Sequence, residues 1–269
     1  MDTEAVRALF DRQMRREAPA DSLGAVVERV GAVVRQTAAP AGGAGPAAES
    51  DGGWNGVLWS DLDEGSADAA ITEQIRHFTS LGLEFEWKLY SHDAPHDLAG
   101  RLAAAGFTPE PPETLMIAEA AGLPTDVAVP EGVRLVPVTD AAGVELMAEV
   151  HERAFGTDRT HIRERLLAQL AAAPGSVAAA IAMAGDVPVS AARMELPAGT
   201  EFAGLWGGGT VPGWRGRGLY RALVAFRTRL AAERGYHYLQ VDASSQSRPI
   251  LRRLGFEELS TTTPYVHTP

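Results

Sequence analysis

Apolar residues recur at helical spacing over residues 3–17, where Val6, Leu9, Phe10 and Met14 mark one side of TEAVRALFDRQMRRE. The stretch ERVGAVVRQTA (28–38) predicts a strand, and WNGVLWS (54–60) a strand that returns beside it. Between them AAPAGGAGPAAESDGG (38–53) is rich in Pro, Gly and Ala and predicts a loop with no site in it. A helix over ADAAITEQIRHFTSL, a strand over EFEWKLYS, a helix over PHDLAGRLAAA and a strand over ETLMIAEA follow. The turn-rich GLPTDVAVPEG (122–132) is the expected boundary between domains 1–125 and 126–269.

The second half opens with strand VRLVPV and helices at about 140–155 and 160–172. Strands VAAAIAM and VPVSAARMEL form an expected hairpin through Gly185 and Asp186. Strand FAGLWGGGTV leads through a loop into a helix at about 217–234. Strand YHYLQVD, a short helix ending RRLGF and a last strand near 258–267 complete the chain. Strands alternating with helices in this way predict an α/β fold with a mixed sheet flanked by helices.

The order helix, glycine, strand, helix, "GF", strand occurs in both halves. Gly82 precedes Gly106 by 24 residues, and Gly235 precedes Gly255 by 20. Where the second copy reads VPGWRGRGLYRA, the first reads SDLDEGSADAA, acidic and without paired glycines. One ligand-binding turn per chain, in the second half, is the expectation.

Composition narrows the chemistry. The formal net charge of -11 over 269 residues speaks against nucleic acid or an anionic membrane as the main partner. The absence of cysteine excludes disulfides, thiolate metal sites and a cysteine nucleophile. The opening MDTEAVRALF lacks the basic start and apolar run of a secretory signal, and no stretch is apolar for long enough to cross a bilayer, so a cytoplasmic location is expected. His92 and His96 in HDAPH lack a third candidate ligand, and no metal is expected there.

The stretch VPGWRGRGLYRALVAF (211–226) stands apart from this acidic background. Its glycines free the backbone for a sharp turn, and the helix that follows offers unpaired N–H groups and a positive dipole end. Arg215, Arg217 and Arg221 add full positive charge, so the turn is built as a phosphate nest. It is not the dinucleotide pattern G-x-G-x-x-G, since Arg221 stands three residues after Gly218.

Arg215-Gly216-Arg217-Gly218-Leu219-Tyr220 resembles the Q/R-x-x-G-x-G/A signature of the GNAT superfamily of CoA-dependent N-acyltransferases, with Tyr220 at the final small position. ASSQSRPILRRLGF is similar to the family's N-x-x-A-x-x-x-Y-x-x-x-G-F helix, with Ser244 at the Asn position and Leu251 at the Tyr position. The resemblance covers roughly 133–267, and the first half looks like a degenerate second copy, as in tandem GNAT proteins. It implies two GNAT-like lobes, with acetyl-CoA held by Gly209, Thr210, Val211, Arg215, Gly216, Arg217, Gly218, Leu219, Tyr220 and Ser244. The family's tyrosine commonly reprotonates the departing thiolate, which Leu251 is unable to do.

Acyl transfer to an amine further requires an oxyanion donor, for which the resemblance offers the backbone of Gly208, Gly209 and Thr210. The three glycines 207–209 suggest a bulge, a close ligand approach or a simple kink. Glu201 and Asp242 are candidate general bases, with Tyr265 or His267 as an assisting group or acid. The expected activity is acetyl transfer from acetyl-CoA to a primary amine of a small molecule by direct attack in a ternary complex. A non-catalytic acyl-CoA-binding protein and an enzyme with a longer acyl donor are the alternatives. His151, Arg153 and Asp158 are candidates to face the acceptor pocket, and oligomeric state is not encoded in any readable pattern.

Overall fold

The computed structural model describes residues 1–39, 53–156 and 160–269. Most of the expected loop at 38–53 and the candidate Asp158 lie outside the described residues. Two compact units interleave along the chain. One comprises Met1–Met116, Asp242–Arg248 and Glu258–Pro269, and the other Ile117–Val241 and Pro249–Glu257. The last strand therefore belongs with the first unit, whereas chain order had placed it in a domain of 126–269.

The first unit begins with α1 (Thr3–Phe10), which Asp2 caps by accepting from the N–H groups of Glu4 and Ala5 at 3.1 and 3.2 Å. The helix then widens into a π-helical stretch over Asp11–Arg16. Residues 28–38 do not make one strand. They turn at Gly31 (φ 60) into an antiparallel hairpin of β1 (Val26–Val30) and β2 (Val33–Thr37), because glycine there admits the left-handed conformation a tight turn needs. Strand β3 (Gly56–Ser60) pairs antiparallel with β2 and parallel with β4 (Phe85–Tyr90), the two linked by α2 (Ala67–Leu81).

Period-two alternation on β4 divides its two faces. Phe85, Trp87 and Leu89 pack into a core with Val57, Ile71, Phe78, Leu98 and Leu102, drawing on α2 and α3 (Leu98–Ala104). The other face carries Glu86, Lys88 and Tyr90. Two short pieces, β5 (Thr108–Pro109) and β6 (Glu113–Glu119), follow, and the boundary between units falls inside β6.

In the second unit β7 (Val133–Val138), β8 (Val177–Ala184), β9 (Val187–Glu195) and β10 (Phe202–Thr210) form an antiparallel series. β10 then pairs parallel with β11 (Tyr238–Ala243). Val177, Ala179, Ile181 and Met183 meet α4 (Ala141–Phe155) and α5 (Thr160–Ala172) on one face. Their alternates Ala180 and Ala182, with Ala192, meet Leu219 and Leu223 of α6 (Leu219–Glu233) on the other. Burial of both faces explains why β8 reads as an unbroken apolar run. Helix α7 (Arg248–Leu254) and β12 (Glu257–His267) end the chain, and β12 pairs antiparallel with β4 from Thr262–Tyr90 to His267–Phe85.

Each unit therefore contains an antiparallel series followed by one parallel pair joined through a helix: β3–α2–β4 in the first and β10–α6–β11 in the second. These are the two copies of the sequence echo.

Candidate functional site

The turn between β10 and α6 is held by its own chain. Trp214 N–H donates to Val211 O at 2.9 Å and Arg215 N–H to Pro212 O at 3.2 Å, which closes a short 3-10 turn. Gly216 (φ 75) and Gly218 (φ 85) both take the left-handed conformation, and Gly218 is the N-cap of α6. Among the described residues, the amides from Gly216 to Tyr220 donate to no carbonyl of this turn, and the first helical amides have no acceptor inside α6. The nest is thus five amides, Gly216 to Tyr220, with the Arg215 amide already committed.

The arginines divide between structure and charge. The Arg215 guanidinium folds back, with Nε donating to Thr210 O at 3.1 Å and Nη2 to Ala154 O at 3.0 Å, which ties the turn to β10 and to the end of α4. Arg217 lies over the Trp214 ring at 4.6 Å and stays exposed at the turn.

Pairing between β10 and β11 covers Phe202–Tyr238, Ala203–Leu239 and Gly204–Gln240. Both strands continue past the last of these pairs. On its other side β10 loses register with β9 between Trp206 and Gly209. The three glycines therefore form a bulge, for a reason the sequence did not show. A Cβ at Gly207 would stand 3.2 Å from His151 Nε2, one at Gly209 would stand 2.8 Å from the Phe155 ring, and one at Gly208 would stand 3.2 Å from the Tyr220 ring. Side chains of α4 and α6 approach the bulge from its two sides.

Three further groups fix this bulge. His151 Nε2 lies 2.9 Å from Gly207 O, and a carbonyl only accepts, so the ring donates from Nε2. Burial lowers the His151 pKa and nearby Arg193 lowers it further, against a smaller upward pull from the Gly207 hydrogen bond. The ring is therefore neutral at pH 7. Ser190 of β9 donates to Gly209 O at 2.8 Å and lies 2.7 Å from Thr210 Oγ1. Tyr220, whose hydroxyl pKa is raised by burial, fills the space beneath Gly208.

The other sequence candidates each have their own local surroundings. Glu201 precedes β10, at the opposite end of the strand from the turn, and pairs with His237 at 2.9 Å. Tyr265 sits on β12 in the first unit, in register with Trp87 and Pro109. His267 packs on Phe85 and Phe107. Ser244 is exposed and accepts at its carbonyl from Ser247 and Arg248 as the chain enters α7. Leu251 is fully buried (0 % exposed). Arg153 reaches Glu149 and Pro188 O. Val211 is buried, its N–H donating to Val189 O at 3.0 Å.

Asp242 is in the first unit, its side chain 4 % exposed, with Oδ2 2.5 Å from Lys88 Nζ. Burial alone would lower the Lys88 pKa, but Asp242, Tyr90 and Glu86 outweigh it and hold the ammonium charged. Glu86, raised by burial, accepts from Trp54 Nε1 at 2.7 Å, and Glu113 is likewise raised by burial. His92 bonds Asp11 and Ser260 beside the Arg15–Asp93 ion pair. No metal-binding group occurs among the described residues.

The corresponding turn of the first unit, between β3 and α2, is filled from within. Asp63 Oδ1 accepts from Gly65 N–H at 3.0 Å, Ser66 N–H at 2.8 Å and Ser66 Oγ at 2.7 Å. The Ser66 hydroxyl and amide hold this carboxyl below its usual pKa. A carboxylate of the chain thus occupies the position where the second unit leaves its amides open.

Sequence reasoning missed Ser190, for which β9 offered no signal. His151 did carry one, since it interrupts the apolar stripe Val144–Met147–Phe155 of α4 with a polar ring.

The chain has the fold of the GCN5-related N-acetyltransferases, in a tandem arrangement. It is similar to a GCN5-related N-acetyltransferase from Kribbella flavida, with TM-score 0.66 and 19% identity over 99% of this chain and 94% of the other. It is similar also to a tandem GNAT protein from the clavulanic acid biosynthesis pathway, with TM-score 0.59 and 15% identity over 92% and 84% of the two chains. A functionally unknown conserved protein from Staphylococcus epidermidis gives TM-score 0.65 and 10% identity over 94% and 96%. No family model and no curated protein matches the sequence. No described helix is long and apolar enough to cross a membrane.

Proposed function

We propose that the protein is an acetyl-CoA-dependent N-acetyltransferase that acylates a primary amine of a small molecule by direct attack. The turn from Gly216 to Tyr220 carries this reading. Two left-handed glycines leave successive amides open at a helix N-terminus, the geometry that receives a diphosphate. The catalytic domain in this reading is the second half of the chain. The first is a degenerate copy whose nest Asp63 has closed.

The chain's own groups do the rest. The amides of Gly216–Tyr220 hold the diphosphate, and the exposed Gly208 offers its N–H to the thioester oxygen as negative charge develops there. That charge develops as the amine nitrogen bonds to the carbonyl carbon. The C–S bond breaks as the carbonyl re-forms, the nitrogen gives up one proton to solvent, and the departing thiolate takes one up. The proton donor is not Leu251, which is apolar and buried.

Calorimetric titration with acetyl-CoA tests binding, and thiol release across a panel of primary amines tests transfer. Buried Leu251 favours one second reading, a protein that binds acyl-CoA without turning it over. Heat of binding with no thiol release from any amine would establish that reading.

A further inference from the structure

We propose that His151 is a positioning residue that aims the Gly208 N–H, an inference resting on the reading of Gly208 as the oxyanion donor. Gly207 and Gly208 share one peptide unit. It is trans, since the cis peptide among the described residues is Ala94–Pro95. In a trans unit C=O and N–H point in opposite directions within one rigid plane. The hydrogen bond from His151 Nε2 to Gly207 O, at 2.9 Å, draws the carbonyl toward α4. The Gly208 N–H must then face away from α4.

Rigidity is needed here because the peptide has little else to hold it. It lies where β10 loses register with β9, and both of its residues are glycines. Gly207 has φ 58, and a side chain there would crowd His151 Nε2. Gly208 is exposed while His151 is 5 % exposed, so the anchored end of the unit is dry and its donor end is open. A bond accepted at the carbonyl also polarises the N–H of the same unit and strengthens it as a donor. With Nε2 carrying the proton, the neutral ring keeps this grip without needing a charge.

The test uses the full chain and carbonyl-labelled [1-13C]acetyl-CoA, so no acceptor needs to be known. The probe's infrared carbonyl band should move to lower frequency on binding to the wild-type protein. His151→Phe should bind acetyl-CoA within about threefold of wild type yet lose most of that displacement. His151→Gln, whose amide N–H takes the place of Nε2–H, should restore it. An undiminished displacement in His151→Phe overturns the inference and leaves the proposed function standing. Binding to wild type without any displacement defeats the Gly208 reading and this inference with it, and no binding at all defeats the proposed function. Should His151→Phe fail to fold, ring-nitrogen NMR of the wild type decides. An Nε2–H tautomer whose signal moves when acetyl-CoA binds supports the inference, and an Nδ1–H tautomer overturns it.

Discussion

Lys88 Nζ and Asp242 Oδ2, 154 positions apart in the chain, meet at 2.5 Å with the carboxylate almost wholly buried. Lys88 is the chain's single lysine. Lys88→Ala would leave Asp242 charged and unpaired among Glu86 and Glu113, at a cost of about 3–5 kcal/mol. The double substitution Lys88→Met with Asp242→Leu should recover most of that loss, as read by urea denaturation. Equal losses in the single and double variants would show that the pair contributes nothing specific.

Gly218 has φ 85 and caps α6. An aspartate there adds about 1–2 kcal/mol of left-handed strain and places negative charge on the nest. Affinity for acetyl-CoA should fall at least about tenfold by calorimetry, since each 1.4 kcal/mol or so is a factor of ten. Asp63→Ala in the first unit should leave that affinity unchanged.

Gly207→Ala combines a positive φ with a methyl 3.2 Å from His151 Nε2. Stability should fall by about 1–2 kcal/mol. Thiol release with a responsive amine should fall more steeply than acetyl-CoA affinity, because the methyl disturbs the bulge and leaves the nest intact.

Acid should weaken the fold through His151 and His77, whose pKa values both lie below the ordinary 6.5, chiefly from burial and secondarily from Arg193 and Arg35 respectively. The unfolded chain then binds more protons than the folded one between each folded value and pH 6.5. The neutral-form contribution is complete above about pH 6.5 and is lost as pH falls through the folded pKa. Denaturation midpoints should therefore fall below pH 6.5, and His151→Gln should flatten part of that slope.

Leu251→Tyr would restore the side chain typical of the resembled family at that position. Leu251 is fully buried, and added bulk in a packed core costs about 1–3 kcal/mol. Thermal unfolding should record that loss, and thiol release should not rise.

The elements were legible wherever a single periodicity governed the stretch. Residues 67–81 match α2 from end to end because Ile71 and Phe78 mark one helical face. The hairpin at Gly31 was hidden because VGAVV has apolar residues on both sides of the turn, so the pattern ran through it unbroken. The turn at 215–220 was readable because its requirements are local: glycines for positive φ and a helix start for open amides. The bulge clamp was not, because His151, Ser190 and Tyr220 come from three elements and meet only through tertiary packing. Glu201 and Asp242 were grouped by their places near strand ends, and sequence position did not reveal that their partners are His237 and Lys88.

Pairing of Thr262–His267 against β4 has a consequence for biosynthesis. Strand β4 must wait for the much later β12 to be synthesised before its pairing is complete, and contacts of such long sequence separation form slowly. Until then the β4 edge is unpaired and open to association with other nascent chains, so truncation within 257–267 should raise the share of the product recovered in inclusion bodies.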